Sequence, residues 1–110
     1  MIDAILVSTT CASAEEAERI AAAVIEQRLA ACATIGAPVR SRYRWQDQVE
    51  TATEVPLTLK SKRDCFLPLA AAIQRLHSYK VPEILAVPVL DASPEYLAWI
   101  TANTTCSPLD

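Results

Sequence analysis

Apolar and polar positions alternate along this chain between strand-like and helix-like stretches. Ile2-Asp3-Ala4-Ile5-Leu6-Val7-Ser8 is a short, mostly apolar run that reads as a buried strand. Ser13-Ala14-Glu15-Glu16 supplies the S-x-x-E pattern that caps a helix start. Ala17, Ile20, Ala21, Val24 and Ile25 then recur at helical spacing and predict an amphipathic helix ending near Ala30. Cys32 to Ile35 opens an extended segment interrupted by Gly36 and Pro38, and Arg40 to Trp45 continues it with strict alternation. Gln46-Asp47-Gln48 is a polar turn, after which Val49 to Ser61 returns as a second strand.

A three-residue turn sets Arg44 opposite Glu50 and Arg40 opposite Glu54. The arginines then read as cross-strand charge partners on a solvated face, with anion binding as the other role open to them. Ser61-Lys62-Arg63-Asp64 is a second cap, leading into a helix through Phe66, Leu69, Ala70, Ile73 and Leu76 that tolerates Pro68 only in its first turn. Glu83 to Leu90 is the most continuous apolar strand, and Ser93-Pro94 opens a last helix through Tyr96, Leu97, Trp99 and Ile100. The order is β-α-β-β-α-β plus a terminal helix. The expected fold is an α+β, ferredoxin-like sandwich in one domain spanning residues 1–110.

Composition narrows the function. The chain is 52% hydrophobic but only 5% aromatic, so its core is built from small aliphatic side chains, and a 110-residue domain of that kind gains from assembly. A single glycine, Gly36, excludes a P-loop, a dinucleotide fingerprint and an RNP1-type RNA motif. A net charge of −3 argues against general binding to nucleic acid or to anionic membranes. The longest wholly apolar run, Ile20 to Ile25, is too short to span a bilayer. Met1-Ile2-Asp3 shows no secretory signal, so a cytoplasmic location is expected, with Cys11, Cys32, Cys65 and Cys106 as reduced thiols rather than a disulfide framework.

No catalytic constellation emerges. The only histidine, His77, falls at a helix end, where it either complements the helix dipole or serves chemistry. Glu15, Glu16 and Glu18 read as a solvated helix face. The cysteines and His77 form a soft-donor set suited to Cu(I) or Zn(II), although their spacing alone fits buried core thiols as well. With strands in the order 4-1-3-2, Cys11 and His77 lie at one end of the sheet and Cys32 and Cys65 at the other. One protomer therefore does not gather all four thiols around one ion. Lys80 is expected to favour the thiolate of Cys11, while Cys32 is expected in apolar, buried surroundings.

Arg28-Leu29-Ala30-Ala31-Cys32-Ala33, Ser41-Arg42-Tyr43-Arg44-Trp45, Leu59-Lys60-Ser61, His77-Ser78-Tyr79 with Val81-Pro82-Glu83, and Tyr96-Leu97-Ala98-Trp99 resemble, in this order, the CutA family of divalent-cation tolerance proteins. The resemblance covers nearly the whole chain. It implies a tight homotrimer packed through a long hairpin and the terminal helix, a role in tolerance to divalent metals with copper (Cu(I) or Cu(II)) as a ligand, and no enzymatic reaction. Carried over by position, Cys32 matches the family's cysteine and His77 its histidine. Tyr43 and Trp45 match its aromatic hairpin, Lys60 the lysine ending the next strand, and Tyr79 and Glu83 the segment after the histidine; these five are the candidates for an inter-subunit cleft. Three positions depart from the pattern: Ser78 replaces the usual proline, Lys80 an acidic residue, and Asp47 the glycine of the hairpin turn. The metal candidates are Cys32 and His77, which match the family, and Cys11, which has no family counterpart and enters on strand order alone. The alternative is a trimeric signalling module holding a small anion between subunits with Arg40, Lys60 and His77. An acyl-phosphate hydrolase on the same sheet would want a glycine-rich anion loop that this chain does not have.

Overall fold

In the computed structural model, which describes residues 2–106, Ala4–Cys11 forms β1 and Ala14–Glu26 forms α1. Cys32–Ile35 is β2, Val39–Trp45 is β3 and Gln48–Lys62 is β4. A 3₁₀ turn, Arg63–Cys65, leads into α2, Phe66–Leu76; β5 is Leu85–Pro88 and α3 is Pro94–Ala102. The antiparallel sheet runs β2-β4-β1-β5, with β3 paired to the first half of β4. This is the expected α+β architecture and strand order. The ends of the expected domain, Met1 and residues 107–110, lie outside the described residues.

β4 organises the molecule. Its second half alternates, with Val55, Leu57, Leu59 and Ser61 buried toward the helices. Against them pack Ala17, Ile20, Ala21 and Val24 of α1 and Leu69, Ala72 and Ile73 of α2, an aliphatic core as the composition requires. The other face carries Lys60, whose Nζ stands 5.7 Å from the Tyr96 ring centroid of α3. The first half of β4 pairs with β3 alone and projects as an arm. The Cα radius of gyration is accordingly 14.5 Å, against about 13 Å for a compact chain of this length. At the elbow the Gly36 N–H donates to Pro56 O at 2.9 Å, and a Cβ on Gly36 would meet Pro56 Cγ at 2.8 Å.

Several boundaries differ from the sequence reading, each for a local reason. The hairpin turn has two residues, not three: Trp45 pairs with Gln48, and Gln46 and Asp47 both take positive φ, 49° and 64°. That is the backbone of a type I′ turn, reached without glycine. The register moves by one, setting Arg44 opposite Val49, Arg40 opposite Thr53 and Tyr43 opposite Glu50, so the expected arginine–glutamate pairs do not form. Helix α1 ends at Glu26 rather than near Ala30. Arg28 takes φ 59°, and the Arg28 and Leu29 N–H groups donate to Ile25 O and Val24 O, a Schellman closure with arginine in the glycine position. Ser61 does not cap α2. Its Oγ donates instead to Leu29 O at 2.6 Å. Strand β5 covers only Leu85–Pro88 of the expected 83–90.

The expectation of four reduced thiols is also overturned. Cys65 and Cys106 are joined as a disulfide with their Cα atoms 5.2 Å apart. After α3 the chain turns back: Thr105 N–H donates to Arg28 O and Lys62 Nζ to Thr104 O, which delivers Cys106 to the start of α2. Nothing in the cysteine spacing encodes that return.

Candidate metal centre

Three buried side chains meet where β1 ends, α1 begins and α2 stops. Cys11 is the last residue of β1 and alternates inward with Ile5, Val7 and Thr9, so its thiol points under the helices. Ser13 caps α1, its Oγ accepting the Glu16 N–H at 3.1 Å. In a symmetrical capping box Glu16 would reach back to the Ser13 N–H. Here Glu16 Oε1 accepts the Ala12 N–H at 3.0 Å, and Oε2 accepts the Ser78 N–H at 3.0 Å. Glu16 is therefore 3% exposed, which corrects its reading as part of a solvated face; Glu15 and Glu18 are exposed as expected.

His77 is the C-cap of α2 and is also buried. Its Nε2 lies 2.9 Å from Thr10 O, a carbonyl that only accepts, while its Nδ1 receives the Tyr79 N–H at 3.1 Å. Those partners assign a neutral ring with its proton on Nε2. Nδ1 stands 3.6 Å from Glu16 Oε1. A sulfur, a carboxylate oxygen and an imidazole nitrogen, from Cys11, Glu16 and His77, all lie within 4.8 Å of one another.

The electrostatics depart from the sequence reading. Burial, followed by the carboxylates of Glu16 and Glu54, pushes the Cys11 thiol up to about 11, and Arg19 is the charge that opposes them. Lys80 does not activate this thiol. It is exposed, and its carbonyl accepts from Gln74 Nε2 at 3.3 Å. Such a thiol is the reverse of an activated nucleophile. Burial by itself would raise the Glu16 carboxyl, but the hydrogen bonds from Ser78 and Ala12, with His77 nearby, outweigh it and hold the group below its ordinary range. Tyr79 Oη donates to Glu54 Oε2 at 2.8 Å, and burial together with that carboxylate raises the phenol well above its usual value.

The structure thus brings Cys11 and His77 together and leaves Cys32 apart. Cys32 pairs with Lys60 on β4, whereas Cys11 pairs with Val55, a separation of about 17 Å along the strand. Cys32 is half-buried beside Thr34 Oγ1 at 3.9 Å, not enclosed in apolar surroundings as expected. Tyr43 and Trp45 are exposed on the arm, Lys60 lies beneath Tyr96, and Glu83 accepts from Ser8 Oγ at 2.9 Å. Glu16 and Glu54 are the residues the sequence reading missed. The signal for Glu16 was present, since a capping glutamate points back toward the strand end that carries Cys11.

A tetrahedral zinc or copper site with one sulfur and two nitrogen or oxygen ligands needs donor separations of roughly 3.3–3.8 Å; the Nδ1–Oε1 pair meets this at 3.6 Å, whereas the cluster as a whole spans up to 4.8 Å and must contract to close on an ion. Residues 5–103 match the family model of the CutA1 divalent ion tolerance protein. The chain belongs to that family. It is 41% identical over 99 residues to the divalent-cation tolerance protein CutA of Thermus thermophilus, covering 90% of this chain and 96% of that relative. Among solved structures, CutA1 from Oryza sativa superposes with a TM-score of 0.92 at 31% identity, covering 96% of this chain and 97% of the other. CutA from Xylella fastidiosa gives 0.91 at 36%, with coverages of 94% and 99%. Among the described residues no helix is long and apolar enough to cross a membrane.

Proposed function

We propose that this CutA1-family chain is a homotrimeric, non-catalytic protein that confers metal tolerance by taking copper, or another divalent cation of borderline softness, at Cys11, Glu16 and His77. The observation that carries this reading is the convergence of three chemically different donors in one buried cluster. Thiolate and imidazole suit copper and zinc, and the carboxylate suits a divalent charge. Once Cys11 has given up its proton, the thiolate and the Glu16 carboxylate balance a divalent cation. The filled site then buries no net charge, which a low-dielectric interior favours. Assembly is supported by apolar side chains left exposed on the protomer: Val39, Tyr43, Trp45 and Val49 on the arm and Leu85 and Val87 on β5.

Isothermal titration with Cu(I), Cu(II) and Zn(II) tests this directly. One cation per chain is expected, with affinity lost in Cys11→Ser and His77→Ala and retained in Cys32→Ser. Unchanged binding in both Cys11→Ser and His77→Ala would contradict the assignment.

A second reading, an anion held on the arm, is favoured by an open groove of about 300 Å³ lined by Arg40, Ser41, Arg42 and Thr51. His77 takes no part in it, because that side chain is buried with Cys11 and Glu16 and does not line the groove. Nucleotide titration against Arg40→Ala separates the two readings.

A further inference from the structure

Every hydrogen bond at the cluster except one can survive the arrival of a cation. Glu16 Oε1 and Oε2 each accept one N–H, and a carboxylate oxygen has a second lone pair to offer. Cys11 Sγ becomes a ligand by losing its proton. His77 has no such reserve. Its Nε2 proton is committed to Thr10 O, so the available donor is Nδ1, which carries a single lone pair already given to the Tyr79 N–H. That pair cannot serve a metal and an N–H together.

We infer that a divalent cation bound by Cys11, Glu16 and His77 displaces the Tyr79 N–H from His77 Nδ1 and thereby releases the turn after α2, so that occupancy of the site is reported as a movement of Tyr79. The inference rests on the metal-binding reading above and adds its regulatory consequence. Tyr79 is well placed to carry the signal. Its ring stands 4.7 Å from that of His77, and its Oη is fixed to Glu54. Glu54 is the residue at which β4 leaves the main sheet: it pairs with Val39 of the arm, and the next residue, Val55, pairs with Cys11. A turn that lets go of His77 therefore acts on the root of the arm, seven residues of chain from the turn residue Asp47 at its tip. The cation responsible is one able to accept a single imidazole, a thiolate and a carboxylate without its water shell, since the donors are buried. Strongly hydrated Mg²⁺ does not fit that description, and Zn²⁺ does.

The test uses isotope-labelled, full-length protein titrated with Zn(II), with calorimetry on the same samples to count bound metal. At saturation the Tyr79 amide resonance is expected to move and its exchange with solvent to accelerate about tenfold, the effect of losing one hydrogen-bond acceptor, while the Ser78 amide stays protected by Glu16. In Cys11→Ser, which leaves the Tyr79–His77 bond untouched, both the heat and the Tyr79 response should vanish. Stoichiometric Zn(II) binding with an unmoved, still protected Tyr79 amide overturns this inference and leaves the metal-binding reading intact. Absence of binding overturns both.

Discussion

Glu16, in the first turn of α1, accepts the Ser78 N–H at 3.0 Å across a sequence separation of 62 residues, and so ties the start of one helix to the end of the other. The bond explains why this glutamate is buried and why its carboxyl lies below the ordinary range. A depressed carboxyl stabilises the fold above its unfolded value, near 4.5, and that stability is lost as pH falls through the lower folded value. Glu16→Gln keeps one oxygen acceptor but turns an NH₂ toward an N–H. It should cost about 1–3 kcal/mol at neutral pH and flatten the decline below about pH 4.5. Urea melts of both proteins between pH 3 and 7 measure this. Parallel pH curves would remove Glu16 as the cause.

The Cys65–Cys106 bond closes a loop with a sequence separation of 41. Chain-entropy reasoning assigns such a loop about 4 kcal/mol of stabilisation. Cys106→Ser should lower the denaturation midpoint accordingly, and a reductant should bring the parent protein to the same value. A parent protein insensitive to reductant would contradict it.

Arg28 occupies a left-handed position, φ 59°, at which an L side chain is strained. Arg28→Gly should stabilise the chain by about 1 kcal/mol through the Schellman closure. A loss of stability in chemical denaturation would show that the arginine side chain holds something more valuable there than the strain it causes.

Much of this architecture was readable beforehand. Alternation in Arg40–Trp45 and Val49–Ser61, the cap at Ser13 and the proline at position 94 gave the elements, and strand order placed Cys11 and His77 at one end. What failed was set by single backbone choices or by distant returns. Gln46, Asp47 and Arg28 adopt positive φ without being glycine, which moved the hairpin register and shortened α1. Glu16 was mistaken for a surface residue because its partner, Ser78, comes from the far side of the chain. Pairing of Cys65 with Cys106 depends on the path after α3, which no local pattern specifies.

Assembly is tested without reference to metal. Light scattering at micromolar concentration should give three times the chain mass of 12.0 kDa. The unfolding temperature should rise with protein concentration, because assembly is linked to folding. A monodisperse monomer would leave the exposed side chains of the arm and β5 without this explanation.

The composition of the metal site is read most directly by X-ray absorption at the zinc edge of Zn(II)-loaded protein. Ligation by Cys11, Glu16 and His77 gives one sulfur at about 2.3 Å and nitrogen or oxygen ligands at about 2.0–2.2 Å, with an imidazole outer-shell pattern. Cys11→Ser, which loses the site's affinity, should retain no zinc at this position. A coordination shell of oxygen alone, or one with two or more sulfurs, would contradict the site.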